Sequence, residues 1–271
     1  MTQDDPVGSS RDPDFLRSAR PLLELYASYF RPEVRGFERV PDAGPMLVVG
    51  NHSGGQLPPD VPILLTAWWR ERGEEEPIFT MMHSFFMSLP GIGPIMERCG
   101  GLEAGVDNAE AILDSGGILL DYPGGDHEVF RPWSERNRID FGGRTGVIRL
   151  ALRKQVPIVP VVSVGAHETL FVLSRGEELA KRLPIAKKLR VSVVPLVLGP
   201  PFGIVPGGIP TFPLPAKVTV ELLDPIDWSE HYGPEAAEDS EIVQACYDEL
   251  TQAMQAGMDI LAAERKYPII G

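Results

Sequence analysis

Cysteine is scarce in this chain: Cys99 and Cys246 are the only two in 271 residues, and they form no CxxC pair. That argues against a disulfide framework or a zinc-ribbon site and fits a reducing compartment. Histidine is scarce too, five in all, and none stands in HExxH-like ligand spacing, so no metal is expected. Positive charge falls short of negative: 25 Lys and Arg face 38 Asp and Glu, a formal net charge of −13, which argues against nucleic-acid binding. No basic-then-apolar leader opens the chain. A G-x-S-x-G elbow is absent as well, which removes the usual nucleophile of a serine hydrolase.

The charge that is present is unevenly spread. Residues 1–130 hold 9 Lys and Arg against 21 Asp and Glu, residues 131–190 hold 13 against 5, and residues 217–271 hold 3 against 12. Residues 191–216 carry no charge and seven prolines. A basic segment in an acidic protein suits a local anionic partner such as a phosphate or lipid headgroup; solvated helices are the plainer account. The uncharged stretch is long enough to cross a bilayer, but its prolines argue against a spanning helix. It follows Arg175, Lys181, Arg182, Lys187, Lys188 and Arg190, and so reads as an edge dipping into a membrane surface or as a buried irregular loop.

With a hydrophobic fraction of 43%, the chain has the material for one large α/β domain. Residues 14–30 read as an amphipathic helix kinked or restarted at Pro21. Strands are expected at 46–49, 78–82, 118–122, 156–164 and 217–223, and helices at 60–70, 106–115, 142–154 and 239–263. This alternation implies an α/β fold, a largely parallel central sheet wrapped by helices. With no repeat or interior linker, the expected organisation is a disordered or loosely attached segment over residues 1–13 and one domain over 14–271.

Two strand ends carry the chemistry. The strand at 46–49 runs into Gly50-Asn51-His52-Ser53-Gly54-Gly55, and Asp60 caps the next helix with Pro62 in its first turn. Sites in α/β sheets sit at such strand ends. A His beside a carboxylate can act as a base near neutral pH, because the carboxylate fixes the tautomer and stabilises the imidazolium. A lone loop His with turn glycines is the plainer role for His52, and His83 after the second strand invites the same choice. Strand 118–122 leads to Pro123-Gly124-Gly125-Asp126-His127-Glu128, where two glycines let a backbone approach a ligand; Arg131 follows in a charged loop over 129–141.

Taken in order, these blocks resemble a known family. Asn51-His52 with Asp60, Tyr122 to Glu128 with Arg131, Gly143-Arg144-Thr145-Gly146, and Val156-Pro157 through Pro160 to Glu168 are similar to the glycerolipid and lysophospholipid acyltransferase superfamily, in particular its diacylglycerol-acyltransferase-like branch. The resemblance implies acyl-CoA-dependent O-acyl transfer onto a glycerolipid hydroxyl without an acyl-enzyme. In that reading His52 deprotonates the acceptor and Asp60 orients the imidazole. Asn51, Ser53, Gly54 and Gly55 are expected to bind the substrate, with backbone N–H groups at 53–55 meeting the oxyanion. The resemblance further assigns Gly124, Gly125, Asp126, Glu128, Arg131 and Arg144 to the substrate, and Pro157 with Pro160 to the acyl-CoA side; His83, outside these blocks, is a further substrate-binding candidate. Acyl-CoA is a co-substrate, so no cofactor is implied. The implied partners are acyl-CoA, a lipid acceptor and the cytoplasmic face of a membrane.

Two departures from the family pattern stand out. The usual Asp comes five residues after the His, where this chain has Leu57; Asp60 comes eight after, which leaves Asp121 or Asp126 as alternative partners. The phosphate-reading Pro-Glu-Gly followed closely by Arg is here Pro123-Gly124-Gly125-Asp126, with Arg131 further on. A lysophospholipid or 1-acylglycerol-3-phosphate acceptor is the first reading, and a neutral one such as diacylglycerol the alternative. An esterase or thioesterase, or a non-catalytic lipid-binding relative, are the other classes weighed.

Overall fold

The computed structural model describes residues 6–271 apart from 56, 183–193, 208 and 210. The first helix, α1 (Pro13–Ser28), begins where Asp12 accepts the Phe15 N–H at 2.9 Å, with Pro13 in the first turn. Strands β1 (Glu33–Arg35) and β2 (Met46–Gly50) follow, then α2 (Asp60–Arg72), β3 (Ile78–Met82) and two short helices, α3 (Ser84–Met87) and α4 (Ile92–Arg98). Next come β4 (Gly101–Glu103), α5 (Val106–Asp114), β5 (Ile118–Asp121), α6 (Gly125–Val129), α7 (Gly146–Lys154) and β6 (Ile158–Val164). The chain continues through β7 (Phe171–Ser174), α8 (Glu177–Arg182), β8 (Leu196–Gly199), β9 (Gly203–Pro206) and β10 (Thr219–Leu222) to α9 (Ser240–Glu264).

Seven strands form the central sheet in the order β1-β10-β6-β2-β5-β3-β4. The run from β6 to β4 is parallel, while β10 pairs antiparallel with β6 and carries β1 beside it. The expected mainly parallel α/β sheet is therefore present, with two reversed strands at one edge. β2 lies at its middle, Val48 facing Val159 on one side and Leu120 on the other. All five of its residues are buried. Because side chains alternate across a strand, Leu47 and Val49 enter the core under α5, α7 and α9, while Met46 and Val48 enter the core under α1 and α2. A strand covered on both faces reads as a continuous apolar run, which is why 46–49 stood out.

Three features differ from expectation. Residues 6–12 are not loose: the Arg11 guanidinium donates to the carbonyls of Glu74 (2.6 Å), Glu76 (2.7 Å) and Ile78 (3.3 Å), and Val7 packs on the core. The charged loop at 129–141 contains the end of α6 and a 3-10 turn at 133–135. The uncharged stretch is irregular only in part where it is described; it also supplies β8 and β9 of a separate antiparallel sheet ordered β7-β8-β9. The expected basic helix is described only as α8, and Lys187, Lys188 and Arg190 lie outside the described residues. No helix among the described residues is long and apolar enough to cross a membrane.

Candidate active site

Parallel strands β2, β5, β3 and β6 end on the same side of the sheet, so the residues just beyond them share one edge. Asn51 leaves β2 and is locked to β6, its side-chain amide donating to the Ser163 carbonyl at 3.0 Å while its oxygen accepts the Ser163 N–H at 2.7 Å. That clamp fixes the chain direction for His52. Tyr122, beyond β5, lays its ring against the imidazole with centroids 4.7 Å apart. Gly50 is needed for this approach, since a Cβ there would lie 2.5 Å from the Tyr122 ring.

Asp60 closes the other side. Its Oδ2 lies 3.1 Å from His52 Nδ1 and accepts the Ser53 N–H at 2.8 Å, while Oδ1 accepts the Val61 N–H at 2.9 Å. The eight-residue interval is thus spanned by a loop that folds back through Gly54 and Gly55, both at positive φ. Gly54, at φ +99°, has no room for a side chain: a Cβ would sit 2.6 Å from Pro59. Pro59 holds the cap position and Asp60 is the first helical residue, one place inside the expected cap. Of the alternative partners, Asp126 is held by Arg144 at 2.7 Å. Asp121 adds charge near His52, and burial pushes its carboxyl up to about 6 against the pull of His52 and Arg144.

Burial lowers the His52 pKa, but the charge and hydrogen bond of Asp60, with Glu128 and Asp121 behind, outweigh it and leave the imidazole above its ordinary value. The ring is 19% exposed while Asp60 is 1% exposed. The pair therefore has a buried orienting carboxylate and an imidazole that reaches solvent, the arrangement a general base requires.

Below this pair lies a second one that sequence reasoning assigned differently. Glu128 and Arg131 are both fully buried and joined at 2.6 Å. Glu128 Oε2 accepts the His52 backbone N–H at 2.8 Å, and Arg131 Nη2 reaches the Ser53 hydroxyl at 3.3 Å. Arg131's carbonyl accepts a hydrogen bond from the buried His167 at 2.6 Å. Both side chains are withdrawn from solvent and brace the loop that carries His52. The reason is electrostatic: a buried carboxylate keeps its charge only with a partner, and Arg131 with the His52 amide supplies it. Burial still lifts the Glu128 carboxyl above its usual range, against the pull of Arg131.

The other expected residues divide. Gly124 is buried where a Cβ would lie 2.4 Å from Glu128, and Gly125 opens α6 at φ +46°. Arg144 braces the same turn by donating to the carbonyls of Gly124 (2.6 Å) and Pro123 (3.2 Å). Ser53 is fully buried, and its N–H is already committed to Asp60, so it is no free oxyanion donor. Pro160 is buried mid-strand, paired with Val49. His83 is exposed beyond β3, two strands from His52, where its Nδ1 accepts the Phe85 N–H at 3.1 Å. Sequence reasoning missed the Tyr122 ring and a half-buried His127–Asp140 pair at 3.2 Å. Beside Gly54 lies a narrow crevice with room for little more than a water molecule, lined by Leu57, Leu170, Val197, Ile209, Thr211 and Pro213. Among the described residues no group of three or more His, Cys, Asp or Glu is placed to hold a metal ion.

Residues 31–164, which contain the paired His and Asp, match the family described as Acyltransferase. An uncharacterized protein of Mycobacterium tuberculosis is 30% identical over 263 residues, 96% of this chain and 70% of that one. The chain belongs to the Acyltransferase family. A bovine relative named "DGAT1/2-independent enzyme synthesizing storage lipids" is 26% identical over 218 residues, 80% of this chain and 59% of the relative. In fold, this acyltransferase is similar to the crystal structure of the 1-acyl-sn-glycerophosphate (LPA) acyltransferase PlsC from Thermotoga maritima, with a TM-score of 0.59 and 16% identity over 93% of this chain and 81% of that one.

Proposed function

We propose that this acyltransferase moves a fatty acyl group from acyl-CoA to the hydroxyl of a neutral glycerolipid, with His52 as the general base and Asp60 as the residue that orients it. The His52 Nδ1–Asp60 Oδ2 contact of 3.1 Å carries the reading. With Nδ1 held by the carboxylate, Nε2 takes the proton of the acceptor hydroxyl as its oxygen attacks the thioester carbonyl. The tetrahedral oxyanion then collapses, the C–S bond breaks, and the CoA thiolate leaves, receiving the proton from Nε2. A positioned base is needed because an alcohol ionises far above neutral pH, whereas a thiolate leaves without strong acid assistance.

A neutral acceptor is favoured over the phosphorylated one that the family resemblance put first. Arg131, the cation expected to read a phosphate, is fully buried against Glu128. The charges that act on His52 are those of the carboxylates Asp60, Glu128 and Asp121, which disfavour a phosphate beside it. The bovine relative's name, which speaks of storage lipids, points the same way. Thiol release from palmitoyl-CoA, measured across acceptors with wild type and His52→Ala in parallel, tests the proposal. Release that requires diacylglycerol or monoacylglycerol and is lost in His52→Ala is the expected result. Dependence on lysophosphatidate would return the phosphorylated acceptor; release without any acceptor would indicate a thioesterase.

A further inference from the structure

Three carboxylates act on His52, and they differ in what already holds their charge. Asp60 is spent: its oxygens accept the Ser53 and Val61 N–H groups, and one of them also meets the imidazole. Glu128 is spent as well, closed between the Arg131 guanidinium and the His52 amide. Asp121 is the exception. The Tyr122 N–H is its donor, and among the described residues no Lys or Arg forms an ion pair with it.

Its place in the fold makes that charge consequential. Asp121 ends β5 in register with Val49 of β2, so it stands where the neighbouring strand releases His52. The three residues before it, Ile118, Leu119 and Leu120, are buried, whereas Asp121 is partly exposed. The charged groups that face it are His52 beyond β2 and Arg144 ahead of α7. Arg144 is occupied by the Pro123 and Gly124 carbonyls and by Asp126. Burial therefore prevails and pushes the carboxyl up to about 6, so stability is lost as pH rises from the ordinary 3.8 through that value. A charge that burdens the fold and stands beside the base points to function rather than packing.

Acceptor chemistry supplies the role. In a lysophospholipid only two carbons separate the reacting hydroxyl from the phosphate ester oxygen, so a hydroxyl seated at His52 brings its phosphate to the groups bordering that ring. A carboxylate already neutralised there discriminates weakly. An unpaired one rejects an anion by like-charge repulsion, and a neutral headgroup meets no such penalty. We propose that Asp121 selects the acceptor by charge, turning away phosphorylated glycerolipids and admitting neutral ones. This rests on the neutral-acceptor reading of the site, yet the two fail separately: the wild-type preference tests that reading, and its change with pH and substitution tests Asp121.

The test is a competition between 1-acylglycerol and lysophosphatidylglycerol for palmitoyl-CoA, run with the full chain from about pH 5 to about pH 8. Lysophosphatidylglycerol keeps one negative charge over that range, and the ratio of the two kcat/KM values cancels the titration of His52, which both acceptors share. In wild type the preference for 1-acylglycerol should grow roughly tenfold as pH rises through about 6. Asp121→Asn should lose that rise and shift the ratio at least roughly tenfold toward the anionic acceptor. Its melting temperature at about pH 8 should be no lower than that of wild type, because a burdensome charge has gone. A ratio that Asp121→Asn leaves unchanged overturns the proposal. So does a wild-type ratio that is flat across the pH range, a readout that needs no variant. A wild type that prefers the anionic acceptor overturns the neutral-acceptor reading; a still larger preference in Asp121→Asn would then leave the role of Asp121 standing.

Discussion

The two sheets of this protein show how much a substitution's consequence depends on what covers a strand. The central sheet is enclosed: β2 is buried along its whole length, and the loop beyond it is held by Asn51 on Ser163, Glu128 on the His52 amide and Asp60 on both His52 and Ser53. The small sheet is covered on one face and bears leucine and isoleucine on the other. In the first, position is dictated by contacts that cannot be given up singly. In the second, Leu196, Leu198 and Ile204 are exposed, so a change at any of them disturbs few contacts within the protein.

The largest expected effect is at the enclosed site. His52→Ala should lower kcat/KM by roughly 10³-fold or more, the scale of a lost general base, with the melting temperature unchanged. Steady-state kinetics beside calorimetry checks this; activity that survives would move the base elsewhere. Arg131→Met comes next. Leaving Glu128 charged and alone in the interior should destabilise the protein by about 3–5 kcal/mol in denaturant unfolding. Glu128→Gln/Arg131→Met, which removes both charges, should recover much of that loss. If the single change is as mild as the double, the pair does not brace the loop.

The pH profile refines the same comparison. The base must be neutral to act, and Asp60 with its neighbouring carboxylates holds the His52 pKa above its ordinary value of 6.5. The kcat/KM limb should therefore rise through an apparent pKa higher than 6.5, and Asp60→Asn should move the limb lower while reducing the plateau by roughly 10²–10⁴-fold. For stability the sign is opposite to that of activity. The raised pKa favours the folded state below pH 6.5, and this contribution fades as pH rises through the folded value. The buried His167 acts the other way: burial, with Arg131 nearby, lowers it to about 3, so acidification from pH 6.5 toward 3 should cost stability. The smallest effect belongs to the open sheet. Ile204→Asp should change unfolding free energy by less than about 0.5 kcal/mol, because the side chain is already in water. A larger loss would mean that the outer face is packed after all.

What could be read from the sequence follows the same division. β2, β5 and β6 were evident as apolar runs because a strand buried on both faces needs no alternation. The small sheet was hidden for a related reason: β8 and β9 are apolar on both faces without both being buried, and prolines and glycines interrupt them. At the site, residue types were legible but roles were not. His52 and Asp60 were named with their partnership open, and only the loop's return through Gly54 decided between Asp60 and Asp126. The sequence assigns Glu128 and Arg131 to the substrate, whereas they form a fully buried pair: a carboxylate and a guanidinium three residues apart look the same in a sequence whether water or the protein interior surrounds them. Pro160 was placed at a surface for want of the strand order that encloses it.

The opening residues hold a practical consequence. A dozen or so mostly polar positions invite removal before crystallisation, yet Arg11 ties off three carbonyls near β3, and Gly8 lies so close to Phe79 and Ile112 that it has no space for a side chain. Trimming the chain to residue 14 would bare that aromatic ring and leave the carbonyls to find water. The shortened protein would be less soluble than the full one, and the segment that looks most dispensable is better regarded as a lid over the sheet's far edge.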